Sequence, residues 1–220
     1  MPSRSFFLVL GQRRLDLILT GGVIIIWGIS WPVMKSSVAT IPPIWFTVLR
    51  YLIGALVLTS ILIALGRLRI PHRRDLPIIL SVGLLQMLAF TALAATALQI
   101  VPAGRAVVLA YTMPLWVLPM AAVLFKERIG TRRSFANALG IGGILVLMDF
   151  GRIGYAGFES ILPYALLLTA AMAWAVCMVH VSHHRWAASA LDLAPWQMAL
   201  AAVCLFPLAL AIEGPPGSPG

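Results

Sequence analysis

The sequence predicts an all-α integral membrane protein with seven transmembrane helices. Of its 220 residues, 61% are hydrophobic and only 10% are charged, and the mean hydropathy is +0.98. Soluble domains carry about 25% charged residues, so this chain has too few charges to cover a surface exposed to water. Its apolar residues also fall into stretches of about twenty, the helix length that spans a hydrocarbon core about 30 Å thick.

Seven such stretches are separated by short polar gaps. The pattern is clearest in residues 91–133, where two apolar segments flank a turn at residues 100–102 that is too short to hold a soluble domain. This arrangement predicts a transmembrane helical hairpin. The predicted spans are residues 17–34, 44–65, 76–98, 106–125, 135–150, 162–181 and 196–212.

The basic residues predict the orientation of these spans. Twelve of the 16 Lys and Arg residues lie before the first span or in alternate gaps on the same side, and the opposite side carries three, Lys35, Arg105 and Arg152. Cytoplasmic loops are enriched in Lys and Arg. We therefore expect a cytoplasmic N-terminus, with Gly220 on the outer side after seven spans.

A short internal similarity predicts a repeated unit. Trp27 is followed by a small residue in the first span, as is Trp174 in the sixth, and the next span in each case begins close to a Pro and a Trp. Because the first copy contains five spans, an odd number, the second copy enters the membrane in the opposite orientation. We expect a cytoplasmic segment at residues 1–15, a five-helix repeat at 16–150 and two helices of an inverted second repeat at 151–220.

Arg50 is the most costly residue of the predicted spans, because it lies inside the second span. A charge at the membrane centre costs about 2.5–3.5 kcal/mol on insertion scales, so it normally faces a water-filled cavity or a partner. One interpretation is a cationic contact for an anionic or zwitterionic solute. The alternative is a structural arginine that binds carbonyls at a helix end or extends towards the interface.

Four further residues complete the candidate substrate-binding set. Trp31 and Lys35 lie near the outer end of the first span, and Lys35 has the alternative of extending to the membrane interface. Tyr111 and Trp116 lie in the fourth span, where aromatic side chains either line a pocket for an apolar solute or pack between helices.

Three prolines within spans predict irregular helices beside a cavity. Pro32 follows Trp31, and Pro114 and Pro119 both lie in the fourth span. Proline removes a backbone hydrogen bond and bends or breaks a helix. The carbonyls that it frees are tolerated at membrane depth only beside protein or water, so we expect a bent fourth helix and a bent or unwound end of the first.

Several kinds of activity are not expected. The basic residues lie in gaps rather than on one face, so we expect no nucleic-acid binding. No Asp or Glu lies deep in a span, and no phosphate-binding loop or hydrolytic triad occurs. His180, His183 and His184 share a helix face and leave open a metal or redox enzyme, but no second ligand cluster accompanies them, so we expect neither metal nor cofactor.

Glu127 and Arg128 form a cytoplasmic motif at the end of the fourth span, where we expect Glu127 to act in a salt-bridged cap. With this motif, the chain resembles the EamA-type family of the drug/metabolite transporter superfamily. The residues that carry the resemblance are Trp27-Gly28, Lys35, Pro43, Arg50, Ala97-Leu98, Pro102-Ala103, Ala106, Tyr111, Pro114-Leu115, Glu127-Arg128, Gly140 and Gly143-Ile144.

The resemblance implies an inner-membrane carrier of ten helices in two inverted repeats. Such carriers export small metabolites such as amino acids by alternating access, and their partners are the solute and the lipid bilayer. The sequence departs from the family at Lys126, where the family often has Gly, and it stops where an eighth helix is expected. We therefore expect a fragment of a carrier, or a membrane subunit that is itself inactive and is completed by a second polypeptide; a homodimer is also open.

Overall fold

The computed structural model describes residues 4–126, 128–147 and 158–216. Within these ranges the regular elements are all helical, which confirms the predicted all-α class. The α-helices are α1 (Arg4–Ser37), α2 (Pro43–Ala64), α3 (Leu76–Ser81), α4 (Thr91–Leu98), α5 (Ala103–Ala110), α6 (Met113–Phe125), α7 (Thr131–Leu147), α8 (Phe158–His183) and α9 (Ala190–Glu213).

Six of the seven predicted spans are long and apolar enough in the described residues to cross a membrane. They begin and end at Asp16–Ser37, Pro43–Ala64, Arg73–Leu98, Ala103–Phe125, Ile161–His183 and Ala190–Glu213. The predicted fifth span corresponds to α7, which is described over 17 residues. Its predicted C-terminal end, residues 148–150, lies outside the described residues.

The third span changes its helical form three times. It begins with a 3-10 turn at Arg73–Asp75, continues through α3, becomes a π-helix at Val82–Phe90 and ends as α4. π-helical turns are rare and occur mostly near functional sites. The segment also packs closely on α9, because a Cβ atom built on Gly83 would lie 2.9 Å from Leu200 Cδ2 and 3.1 Å from the carbonyl oxygen of Gln197.

The prolines have different effects in the first and fourth spans. The fourth span is interrupted at Tyr111–Thr112, directly before Pro114. Pro119 lies inside α6 without ending it. In the first span, α1 continues through Pro32 to Ser37, so of the two expected outcomes, bending or unwinding, the helix is not unwound at this proline. Hydrogen bonding continues past the proline, since Val38 N donates to Met34 O at 3.0 Å.

Helices α2 and α9 pack along their lengths and are joined at both ends. At one end, Glu213 accepts hydrogen bonds from Ile44 N at 2.9 Å and Trp45 N at 3.0 Å, so it caps the otherwise unpaired N–H groups at the start of α2. At the other end, Arg67 contacts Asp192 at 3.1 Å. Between them lies a core that includes Val48, Tyr51, Ala201 and Leu205. This pair connects the first predicted repeat to the second.

Candidate functional site

A cavity of about 330 Å³ lies between six parts of the chain: α1, α2, the third span, the break before α6, α8 and α9. This volume is at the lower end of the range for small-molecule sites, about 300–1,000 Å³. The cavity is lined by Ile26, Trp27, Ser30, Trp31, Met34, Arg50, Tyr51, Gln86, Met87, Phe90, Thr91, Ala94, Tyr111, Trp174 and Met198.

Five aromatic side chains form one wall of the cavity. Tyr111 is at the centre, with its ring centroid 6.2 Å from that of Trp31, 6.4 Å from Trp27 and 6.3 Å from Trp174. Trp174 also contacts Phe90, with a centroid distance of 4.6 Å. None of these pairs is a parallel stack, and tilted or edge-to-face arrangements are those that aromatic quadrupoles favour. The wall is therefore broad, apolar and built from three separate spans and the break before α6.

Arg50 is the one cation among the cavity-lining residues. Its guanidinium carbon lies 5.9 Å from the ring centroid of Tyr51, within the range of a cation–π contact. The ion pairs found among the described residues, Arg67–Asp192 and His184–Asp75, do not include it. The side chain is exposed rather than enclosed, so its charge is available to an anionic group in the cavity.

Four other polar side chains of the cavity, Ser30, Tyr51, Gln86 and Thr91, each make a hydrogen bond. The hydroxyl groups of Tyr51 and Thr91 lie 2.6 Å apart. Gln86 Oε1, from the π-helix, accepts a hydrogen bond from Cys177 Sγ at 3.7 Å. Ser30 Oγ donates to a carbonyl of its own helix at 2.7 Å. These bonds fix the side chains and leave fewer groups free to contact a solute.

The structure brings together three of the five predicted binding residues. Trp31, Arg50 and Tyr111 line the cavity, and Lys35 and Trp116 do not. Lys35 Nζ instead donates to the carbonyl oxygens of Leu98 and Gln99, the latter at 3.2 Å, at the end of α4. A cation is favourable at a helix C-terminus, where the last carbonyls are unpaired.

Trp116 and the three prolines of the prediction do not line the cavity. Trp116 Nε1 donates to Thr112 Oγ1 at 3.2 Å, beside the break in the fourth span. Pro32, Pro114 and Pro119 are likewise absent from the lining residues.

The cytoplasmic motif contributes little to the described site. Glu127 lies outside the described residues, so the predicted cap is not described. Arg128 is exposed in the connection between α6 and α7.

Several lining residues were not chosen from the sequence. Trp27 and Trp174 were noted as markers of a repeat but not as parts of a site. The sequence does not distinguish Phe90 and Gln86 as lining residues, because a single aromatic and a single amide side chain in an apolar span are compatible with ordinary packing between helices. The signal that identifies the two tryptophans is their equivalent position in the two predicted repeats.

The histidines at the end of α8 have partners other than a metal. His184 Nε2 lies 3.1 Å from Asp75 Oδ1, and the ring of His183 stacks on Phe125 with a centroid distance of 3.8 Å. Asp75 is fully buried and also accepts hydrogen bonds from Ala187 N and Ala188 N, both at 3.0 Å. In the part of the chain that the structure describes, no three His, Cys, Asp or Glu residues are placed to hold a metal ion.

Comparison with known proteins places this architecture in a family. Residues 16–149 match the EamA-like transporter family. The chain is 27% identical over 197 residues to the uncharacterized transporter YoaV of Bacillus subtilis, covering 89% of this chain and 67% of the relative. It is 28% identical over 165 residues to the uncharacterized transporter YvbV of the same organism, covering 74% of this chain and 52% of the relative.

A third relative has a more specific name. The chain is 25% identical over 207 residues to a probable amino-acid metabolite efflux pump of Escherichia coli, covering 92% of this chain and 66% of the relative. The chain thus spans between half and two thirds of the length of these relatives. No solved structure matches it significantly. Because the family match extends over more than half of the residues and agrees with the helical membrane architecture, the chain belongs to the EamA-like transporter family.

Proposed function

We propose that this chain is part of a secondary transporter that exports small zwitterionic or anionic metabolites, such as amino acids, across the inner membrane. The observation that carries the proposal is the cavity between α1, α2, the third and fourth spans, α8 and α9, with Arg50 as its one lining cation. An ionisable residue inside a membrane span is expensive, and such residues commonly mark a solute pathway. The aromatic wall supplies the apolar contacts that a small-molecule site needs.

The mechanism that we propose is alternating access between two inverted repeats. Trp27 of α1 and Trp174 of α8 occupy equivalent positions in the proposed repeats and contact each other at the cavity. Helices α2 and α9, the second helices of the two repeats, pack against each other. Substrate sites of inverted-repeat carriers lie at the interface between the repeats near the membrane centre, which is where this cavity would lie.

The export direction and the topology are also proposals. The excess of Lys and Arg in alternate gaps supports a cytoplasmic N-terminus. The name of the Escherichia coli relative, a probable amino-acid metabolite efflux pump, supports export and an amino-acid solute.

The proposal is tested by L-leucine efflux from preloaded bacterial cells that lack their own leucine exporters. Cells that express the protein should release labelled leucine faster than cells with an empty vector. Arg50→Ala should reduce the rate about tenfold or more, because a hydrogen bond to a charged group contributes about 1.5–3 kcal/mol. Arg105→Ala is the matched control, since Arg105 is exposed, contacts Tyr164 and does not line the cavity. Equal efflux by the wild type and Arg50→Ala would contradict the proposal.

A further inference from the structure

The cavity-lining polar groups that remain without a partner are mostly hydrogen-bond donors. Arg50 has no carboxylate partner among the described residues. Gln86 uses its carbonyl oxygen to accept from Cys177, which leaves its amide N–H groups to donate. The indole N–H of Trp174 is buried without an acceptor in the described part of the chain. Tyr111, whose hydroxyl both donates and accepts, is the exception.

The acceptors that would be expected to bind an ammonium group are occupied or distant. Glu213 lies at the end of the α2–α9 pair where α2 begins, and both of its carboxylate oxygens accept hydrogen bonds from backbone N–H groups there. Asp75 and Asp192 are engaged at the opposite end of that pair, with His184 and Arg67 respectively. No Asp or Glu is among the residues that line the cavity.

This imbalance has a definite electrostatic consequence. In a medium of low dielectric, an unpaired charge is costly and a favourable opposite charge is worth more than in water. A carboxylate in the cavity would meet an arginine and free N–H donors, and an apolar body would pack on the aromatic wall. An ammonium group would meet the same arginine as a like charge, with no carboxylate on the lining to compensate it.

We propose that the cavity recognises small monocarboxylates with an apolar body and that it does not require the α-amino group of an amino acid. This inference rests on the proposed function for the location of the solute site, and it narrows the solute to one chemical class. Amino acids with apolar side chains then bind through their carboxylate and side chain, and the corresponding deaminated acids bind equally well or better. The corresponding amines, which lack the carboxylate, bind poorly.

The test uses three probes with the same branched carbon chain: L-leucine, 4-methylpentanoate and 3-methylbutylamine. Binding to the full chain in lipid nanodiscs is measured by intrinsic fluorescence, because Trp27, Trp31 and Trp174 all line the cavity. We expect 4-methylpentanoate to bind at least as tightly as leucine, within about threefold, and the amine to bind about tenfold or more weakly, since one lost charge contact is worth about a factor of ten.

Two variants locate the effect at the arginine. Arg50→Gln should weaken binding of 4-methylpentanoate about tenfold or more and leave the weak amine binding unchanged. Arg50→Lys should retain part of the carboxylate affinity, which also shows that the cavity remains folded. Arg105→Gln should leave all three affinities unchanged.

Three results would overturn the inference: leucine binding about tenfold tighter than 4-methylpentanoate, amine binding equal to acid binding, or no binding of any probe. Binding in nanodiscs does not require transport, so it can fail or succeed independently of the efflux assay. Efflux of leucine with equal binding of the acid and the amine would leave the transporter proposal standing and refute the carboxylate preference.

Discussion

The rings of Trp27 and Trp174 meet edge to face, with centroids 6.2 Å apart and an interplanar angle of 63°. The two side chains differ in environment, because Trp27 is 50% exposed and Trp174 is only 7% exposed. The two tryptophans at equivalent positions of the proposed repeat therefore have different environments in the described residues. Trp174 lies within the aromatic wall of the cavity, and Trp27 lies at its edge.

Lys35 is expected to stabilise the end of the third span. Its ammonium group contacts the carbonyl oxygens of Leu98 and Gln99, so Lys35→Met should lower the free energy of unfolding by about 1.5–3 kcal/mol. Thermal unfolding of the detergent-solubilised protein measures this effect. Lys35→Arg retains a cationic donor and should be close to wild type. An unchanged unfolding temperature for Lys35→Met would refute the capping role.

Lys126→Gly is expected to stabilise the protein. Lys126 ends α6 in the left-handed region, with φ 55° and ψ 33°, and it is the one non-glycine residue with positive φ among those described. Glycine adopts this conformation without the steric cost of a Cβ atom. The left-handed conformation costs a residue with a Cβ atom about 1–2 kcal/mol, so we expect a gain of about 1 kcal/mol, measured by thermal unfolding. Arg128→Gly, at a nearby exposed residue without positive φ, should give no gain.

Gly83→Ala is expected to destabilise the contact between the π-helix and α9. The added methyl group would lie 2.9 Å from Leu200 Cδ2 and 3.1 Å from the backbone oxygen of Gln197, which cannot rotate away. Overpacking of this kind costs about 1–3 kcal/mol, and it should appear as a lower unfolding temperature. Gly28→Ala is the control, because nothing lies within 4 Å of its added Cβ. If both variants unfold at the same temperature, the close approach at Gly83 is not real.

Asp75→Asn is expected to loosen the contact between the start of the third span and the connection from α8 to α9. Cys177 reports this change, because it is fully buried in the core formed by Ile78, Ile79 and neighbouring residues. In a Cys204→Ala background, labelling of Cys177 by N-ethylmaleimide should become about tenfold faster, since removal of one partner from a buried contact costs about 1–3 kcal/mol.

The control for this experiment is Asp192→Asn. Its ion pair with Arg67 is largely exposed, with 51% of the arginine side chain accessible, and exposed pairs contribute about 0–1 kcal/mol. Labelling of Cys177 should therefore change little in this variant. If Cys177 is labelled at the same rate in the Asp75→Asn and wild-type proteins, the buried carboxylate does not hold the start of the third span against the connection from α8 to α9.

The spans were predictable from the sequence because the thickness of the hydrocarbon core fixes the length of a spanning helix. Apolar stretches of that length are visible in the sequence. The described helices agree with the predicted ones within a few residues at most ends, and the largest difference is at the start of α1, which begins at Arg4. The break in the fourth span lies directly before Pro114. Proline has no backbone N–H to donate to the carbonyl of the residue four positions earlier, so the break is a local effect.

The site was only partly predictable, because its members come from separate spans. Arg50 was identifiable through its cost in a membrane, but Lys35 carried the same signal and contacts helix-end carbonyls instead. The rotation of each helix about its axis decides whether Arg50 or Lys35 points into the cavity. The spans are apolar on all sides, so their sequences do not indicate this rotation. The π-helix that places Gln86 and Phe90 in the lining was likewise not visible, since its residues resemble those of an ordinary α-helix.

The contact between α2 and α9 predicts that the two proposed halves associate even without a covalent connection. Glu213 holds the start of α2, Arg67 and Asp192 join the other end, and an apolar interface lies between them. We therefore expect residues 1–150 and 151–220, expressed as separate polypeptides in the same membrane, to copurify through a tag on one of them. A Glu213→Gln and Asp192→Asn double variant should weaken that copurification, so assembly in trans would depend on the same side chains that join the helices in the intact chain.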